Sequence, residues 1–214
     1  CIVRIDTVAI ISTRLVQAAT ALKVEKTAQQ LMNTVKSIAA AGEGAGATAS
    51  TSFASALESV VDVIKTKASS PGSVIDFTNT TDLNSIKTTA STKFTGKVTS
   101  KTAFDNVMTS VVTSVKNVNN TIKNVTDLTS DATKNTFANT VTLTDQVKTA
   151  TEAEVSSPGT GNIQFTDTSF ANSAAGNAAP TALSLSSLSI SEAASSLNVG
   201  SLLTTDADQD ESTK

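Results

Sequence analysis

Four carboxylates fall within the stretch from Asp206 to Glu211: Asp206, Asp208, Asp210 and Glu211. Ionised carboxylates are hard oxygen donors, so two chemistries are open to them: acid/base work as a pair, or capture of a divalent cation such as calcium. Glycoside hydrolysis needs two carboxylates converging across a cleft, whereas these follow one another along the chain. The Asp-x-Asp-x-Asp spacing begins like an EF-hand loop, but its sixth position is Glu211, where that loop needs Gly for its turn. The chain contains no His. Ser-His-Asp and Cys-His catalysis, imidazole metal sites and the usual proton shuttle near neutral pH are therefore closed to it. Cys1 is the sole cysteine, which excludes an intrachain disulfide and a cysteine-built zinc site. The glycines of GEGAGA (42–47) follow a helical pattern rather than a strand, and no Gly-Lys-Ser/Thr step follows them. They are expected to form a flexible helix connection, not a phosphate loop. No enzyme is expected.

The charge is uneven. Residues 1–155 hold 15 of the 16 Lys and Arg against 13 acids, a net +2, while residues 156–214 hold one Lys against six acids, a net −5. The acidic end suits divalent cations better than polyanions. Nucleic-acid binding calls for a basic stripe with stacking aromatics, but there are seven Phe, no Trp and no Tyr. No stretch approaches the ~20 apolar residues that span a bilayer. Cys1 suits either a lipidated mature terminus or the arbitrary start of a fragment; Ile2 to Asp6 lacks a small polar tether, which favours the fragment. The Asn-x-Ser/Thr triplets at Asn79, Asn119 and Asn124 are expected by chance in so Asn- and Thr-rich a chain.

The elements that must carry these residues are mainly helical before residue 155. Val8, Ile11, Leu15, Ala18 and Leu22 recur at steps of three and four, and Leu31, Val35 and Ile38 resume the stripe. This predicts one long amphipathic helix ending at the glycines. Phe53, Leu57, Val60, Val61, Ile64 and Ala68 form a second stripe, closed by Ser69-Ser70-Pro71-Gly72. A short helix from near Asp82 turns Leu83, Ile86 and Phe94 inward. The clearest stripe is Phe104, Val107, Met108, Val111, Val112, Val115, Val118, Ile122 and Val125. Its many Val and Thr residues give weak intrinsic propensity, so packing must hold it. A last helix, capped by Thr129 or Ser130, runs through Ala132, Phe137, Val141, Val147 and Ala150 to about Glu154, where a second Ser-Ser-Pro-Gly stops it.

Beyond a Ser/Gly/Asn/Ala linker, Ala179-Pro180-Thr181 leads into alternating Leu183, Leu185, Leu188 and Ile190, then Glu192, Val199-Gly200, a short apolar run and Asp206-Ala207-Asp208. That order reads as two strands and an acidic loop. With Asn177 before it, it resembles the start of a bacterial cadherin-like repeat, the unit of tandem arrays in large secreted adhesins of the RTX type. The resemblance implies a β-sandwich of about seven strands and ~100 residues, with calcium at the junctions between repeats. It assigns Glu192, Asp206 and Asp208 as calcium ligands, with Asn177 a weaker one. The usual linker Asp before Asn177 is here Ala175, and Ala193 replaces the usual Asn after Glu192.

The expected architecture is thus mainly α: a helical region of about five helices over 1–155, bundled or coiled, a linker over 156–179, and the truncated start of a cadherin-like sandwich over 180–214. The expected role is a non-enzymatic segment of a bacterial secreted or cell-surface adhesin, a helical spacer or anchor ahead of calcium-stiffened repeats. Its partners would be the downstream repeats of the same polypeptide and cell-surface or matrix ligands, with no nucleic acid and no membrane span. The alternative is a self-assembling helical protein, a homo-oligomer through its Val-striped helices, with a disordered acidic tail.

Overall fold

The computed structural model describes residues 7–138, 140–161 and 163, with side chains from residue 16 onward except those of residues 131, 135 and 138, and the backbone of two short strands at 182–185 and 202–205. The chain divides into a helical unit, Cys1–Phe170, and a second unit, Ala171–Lys214. In the second unit, β1 (Ala182–Leu185) pairs antiparallel with β2 (Leu202–Thr205), Ala182 opposite Thr205 and Leu185 opposite Leu202.

The protein is mainly helical, with six helices among the described residues: α1 (Thr7–Gly44), α2 (Ala49–Ala68), α3 (Thr80–Lys93), α4 (Lys101–Lys123), α5 (Asp131–Ala138) and α6 (Thr140–Ser156). The C-terminal half of α1 is the centre of the unit, packed against α2, α4 and α6, while α2 packs on α3 and α3 on α4. The Val stripe of α4 is buried from Phe104 to Ile122 and supplies one wall of the core. Leu83, Ile86 and Phe94 are buried as their spacing implies. Phe94 stacks on Phe104, ring centroids 4.5 Å apart.

Local chemistry sets the helix ends. Thr48, Asn79 and Ser100 sit in extended conformation and accept hydrogen bonds from first-turn amides of α2, α3 and α4, satisfying donors that the helix itself cannot. Asn79, rather than a residue near Asp82, therefore starts α3. Both Ser-Ser-Pro-Gly segments end a helix, and Gly72 and Gly159 take φ of +77° and +93°, which a side chain would resist.

The structure corrects two expectations. The inner face of α2 is not the row of its largest residues: Phe53 and Leu57 are 41% and 40% exposed, while Ser52, Ser55, Ala56, Ser59, Val60 and Val63 are buried. The glycines after Ala41 do not form a flexible connection either, because α1 continues through Gly42 and Gly44. A Cβ on Gly42 would overlap the Phe94 ring, and one on Gly44 would lie 2.6 Å from the Lys148 carbonyl. These two glycines let neighbouring helices approach the α1 backbone, and small residues on α2 serve the same close fit. Only Gly46, with φ of +97°, turns the chain.

The first half of α1 is different in kind. From Val16 to Val24 every residue is exposed except the half-buried Leu22, and Val16 and Val24 are 66% and 64% accessible. At 1.5 Å per residue α1 is about 57 Å long and α4 about 35 Å, so the long helix projects beyond the bundle that surrounds its other half.

Candidate functional site

The calcium ligands inferred from the resemblance, Asn177, Glu192, Asp206 and Asp208, lie outside the described residues, as does Cys1. Among the described residues no three His, Cys, Asp or Glu side chains gather as a metal site, and no helix is long and apolar enough to cross a membrane.

Inside the helical unit, polar chemistry concentrates on one seam between α1 and α4. Asn119 is fully buried on the α4 stripe. Its Nδ2 donates to the Phe77 carbonyl (2.8 Å) and to Thr34 Oγ1 (3.2 Å), and its Oδ1 accepts from Asn33 Nδ2 (2.9 Å). Gln30 Nε2 donates to the Asn119 carbonyl at 2.8 Å. The seam ties α1, α4 and the 74–79 segment together by groups that a core cannot leave unpaired. It also removes Asn119 from the glycosylation acceptors, since the side chain is enclosed; Asn79 is occupied as a cap.

A cavity of about 300 Å³ opens beside this seam, lined by Lys23, Lys26, Thr27 and Gln30 of α1, residues 74–77, and Lys123 at the end of α4. Lys26 Nζ donates to the carbonyls of Lys123 (2.7 Å) and Val125 (2.9 Å). A cation there satisfies the open end of α4 and complements its dipole. Lys123 Nζ reaches Thr78 Oγ1 at 3.1 Å and Asp76 Oδ2 at 3.5 Å. The Thr78 hydroxyl and amide, with Lys123, hold the Asp76 carboxyl below its usual range. Nearby, buried Asp82 accepts from the Asp76 amide at 2.9 Å and pairs with Lys67 at 2.6 Å.

At the opposite end of α4, Glu154 of α6 is buried. It accepts from Asn106 Nδ2 (2.9 Å) and from the amides of Gly159 (2.9 Å) and Gly161 (2.8 Å). These donors, Asn106 foremost, hold its carboxyl below the usual range. The result is a clasp that fixes the chain as it leaves α6, so Gly161 and Ile163 are buried against the bundle where the sequence suggests a linker.

Two Ser–Lys pairs resemble a nucleophile and its base. Lys101 Nζ donates to Ser91 Oγ at 2.7 Å and also pairs with Asp105, and the Ser91 hydroxyl donates to Asp105 Oδ1 at 2.8 Å, so its proton faces the carboxylate and not an amine base. Lys97 Nζ donates to Ser55 Oγ at 2.9 Å, yet Ser55 is fully buried in α2 and no substrate reaches it.

Spacing marks neither Gln30, Lys23 nor Lys26, and it singles out Asn119 only as an Asn-x-Ser/Thr triplet. A signal existed for Asn119, which stands four residues after Val115 and three before Ile122, a polar residue on an apolar stripe. The lysines carry no such mark, because their convergence depends on how α1 meets the end of α4. Neither a scan against protein-family models nor searches of the curated proteins and of the solved structures finds a match to this chain.

Proposed function

We propose that this chain is a non-enzymatic segment of a bacterial secreted or cell-surface adhesin-like protein, its helical unit acting as spacer or anchor ahead of calcium-stiffened cadherin-like repeats. The observation that carries the reading is the order of residues from Asn177 to Asp208. The helical unit is compatible with a mechanical part: its buried polar groups join helix to helix, and its Ser–Lys pairs are either engaged by a carboxylate or closed to solvent. Calcium would act by bridging carboxylates that otherwise repel, stiffening each junction between repeats. Calorimetry on the chain continued through its downstream repeats tests this. Calcium uptake that Asp206→Ala weakens is the expected result; no uptake, or uptake indifferent to that substitution, would sink the proposal.

A second reading, self-assembly, is favoured by the projecting half of α1. Among the described side chains this part of the helix exposes Val16, Ala18 and Val24. Val8, Ile11, Leu15, Ala18 and Leu22 hold the 3.5-residue period of a coiled-coil seam, and no charged residue interrupts that row. A second copy of the same helix is the occupant that matches such a seam. Sedimentation velocity on the full chain should show a dimer or higher species growing with concentration, and a monomer throughout would rule this reading out.

A further inference from the structure

We propose that the outward face of α2 is a second contact between copies of this chain, on which α2 of another copy lies antiparallel and links α1-joined assemblies into longer ones. The inference rests on the self-assembly reading and adds to it a contact that the α1 seam does not contain. Folding leaves α2 with two unlike faces. Ser52, Ser55, Ala56, Ser59, Val60 and Val63 are buried, where α2 packs on α1 and α3. Ala54, Leu57, Val61, Ile64 and Ala68 lie to one side of that face; none is fully buried, and Leu57 is 40% exposed. Their steps of three, four, three and four are the 3.5-residue repeat by which two helices mesh side chains along a seam. A row that the bundle does not cover thus carries the spacing of a helix partner.

The charges beside the row choose the partner and its direction. Glu58 and Lys65 each follow a member of the row, Leu57 and Ile64, and stand seven residues apart on the same border of it. Both are exposed. Glu58 comes no closer than 3.7 Å to Lys93, which sits 2.8 Å from Asp62 instead. When a second α2 lies antiparallel, with Val61 of each copy facing Ile64 of the other, Leu57 falls opposite Ala68 and Glu58 beside Lys65. The two-fold axis repeats that pair, so one self-complementary surface gains two ion pairs. A parallel arrangement in register sets Glu58 beside Phe53 and Lys65 beside Val60, and pairs no charges. From Ala54 to Ala68 the seam is about 21 Å long, and its few layers bury less than the ~1,600 Å² of a standard interface. Such a contact is weak between free chains and gains strength between copies already held together at α1. A copy with two different contacts has two neighbours, so the assembly grows without closing.

The test is sedimentation velocity on the full chain across a wide concentration range. The parent should pass beyond the assembly closed by α1 to species that keep growing with concentration. Glu58→Lys and Lys65→Glu are substitutions at exposed positions, and each should leave the thermal midpoint within about 2 °C of the parent. Each sets like charges across the seam twice, and so should raise the concentration at which the larger species form at least ~10-fold. An equimolar mixture of the two variants should recover the parent's growth, since one copy's border is then wholly basic and the other's wholly acidic. Three results overturn the proposal: a parent that stops at the α1 assembly, growth that both variants leave unchanged, or a mixture no better than either variant alone. In all three the α1 reading stands, whereas a parent monomeric throughout removes that reading and this one together.

Discussion

Asn119 and Glu154 are the two residues on which the helical unit's polar interior turns, and each has a distinct signature. Truncating Asn119 leaves the Phe77 carbonyl and the Asn33 amide without their bonds at 2.8 and 2.9 Å. Each buried group left unmet costs ~1–3 kcal/mol, so Asn119→Ala should lower stability by ~2–4 kcal/mol in urea denaturation. A change under ~0.5 kcal/mol, the scale of a surface substitution, would contradict the network. Asn119→Leu should not restore the loss, because Asn33, Thr34 and Gln30 stay polar around it. Glu154 reports through pH. Its folded-state pKa is depressed by Asn106 and the Gly159 and Gly161 amides, so its contribution is complete above the unfolded value of about 4.3 and is lost as pH falls through the lower folded value. Glu154→Gln should therefore be less stable than the parent at pH 6 to 7, and the gap should close as the two are compared at steadily lower pH below ~4. A gap that stays constant with pH would mean that shape, not charge, makes the clasp.

Helices were legible in the sequence to the degree that large apolar side chains mark their buried faces. In α4, Val, Phe and Ile at steps of three and four coincide with the core, and α3 follows the same rule through Leu83 and Ile86. In α2 the rule fails. Its neighbour α1 offers Ala41 and Gly42, with Ala45 just beyond its end, all buried, and a helix that approaches so small a surface must itself be small, so Ser52, Ser55 and Ala56 turn inward. Spacing cannot reveal this, because the decisive residues belong to the partner helix. The same contact gives Gly42 an unusual sign. Gly to Ala inside a helix ordinarily stabilises by ~0.5–1 kcal/mol, yet here the added methyl meets the Phe94 ring and lies 2.9 Å from Ser52 Oγ. Gly42→Ala should instead destabilise by ~1–3 kcal/mol, read as a lower thermal midpoint. Phe53→Ser and Leu57→Ser, on the half-exposed side of α2, should each cost less than Val60→Ala on the inner side.

For the whole molecule, the question is which apolar surface remains after the helical unit has folded. The stripe most suggestive of assembly from its spacing, that of α4, is consumed internally, since Val107, Val111, Val115 and Val118 are all at most 2% exposed. Among the described residues, Val16, Ala18 and Val24 of α1 stay exposed, on the helix that carries the spaced row from Val8 to Leu22. The faces differ in consequence as well as position. A charge introduced at Ala18 stands in water in the single chain and across the seam in a dimer, so Ala18→Glu should abolish concentration-dependent association while leaving the thermal midpoint of the dilute protein within about 2 °C of the parent. Val111→Glu places an unpaired carboxylate in the core and should unfold the unit before association can be asked about. If Ala18→Glu leaves the oligomer intact, the contact lies elsewhere and the projecting helix has another occupant. If the parent chain shows no association at any concentration, the exposed row on α1 is covered by something other than a second copy of itself.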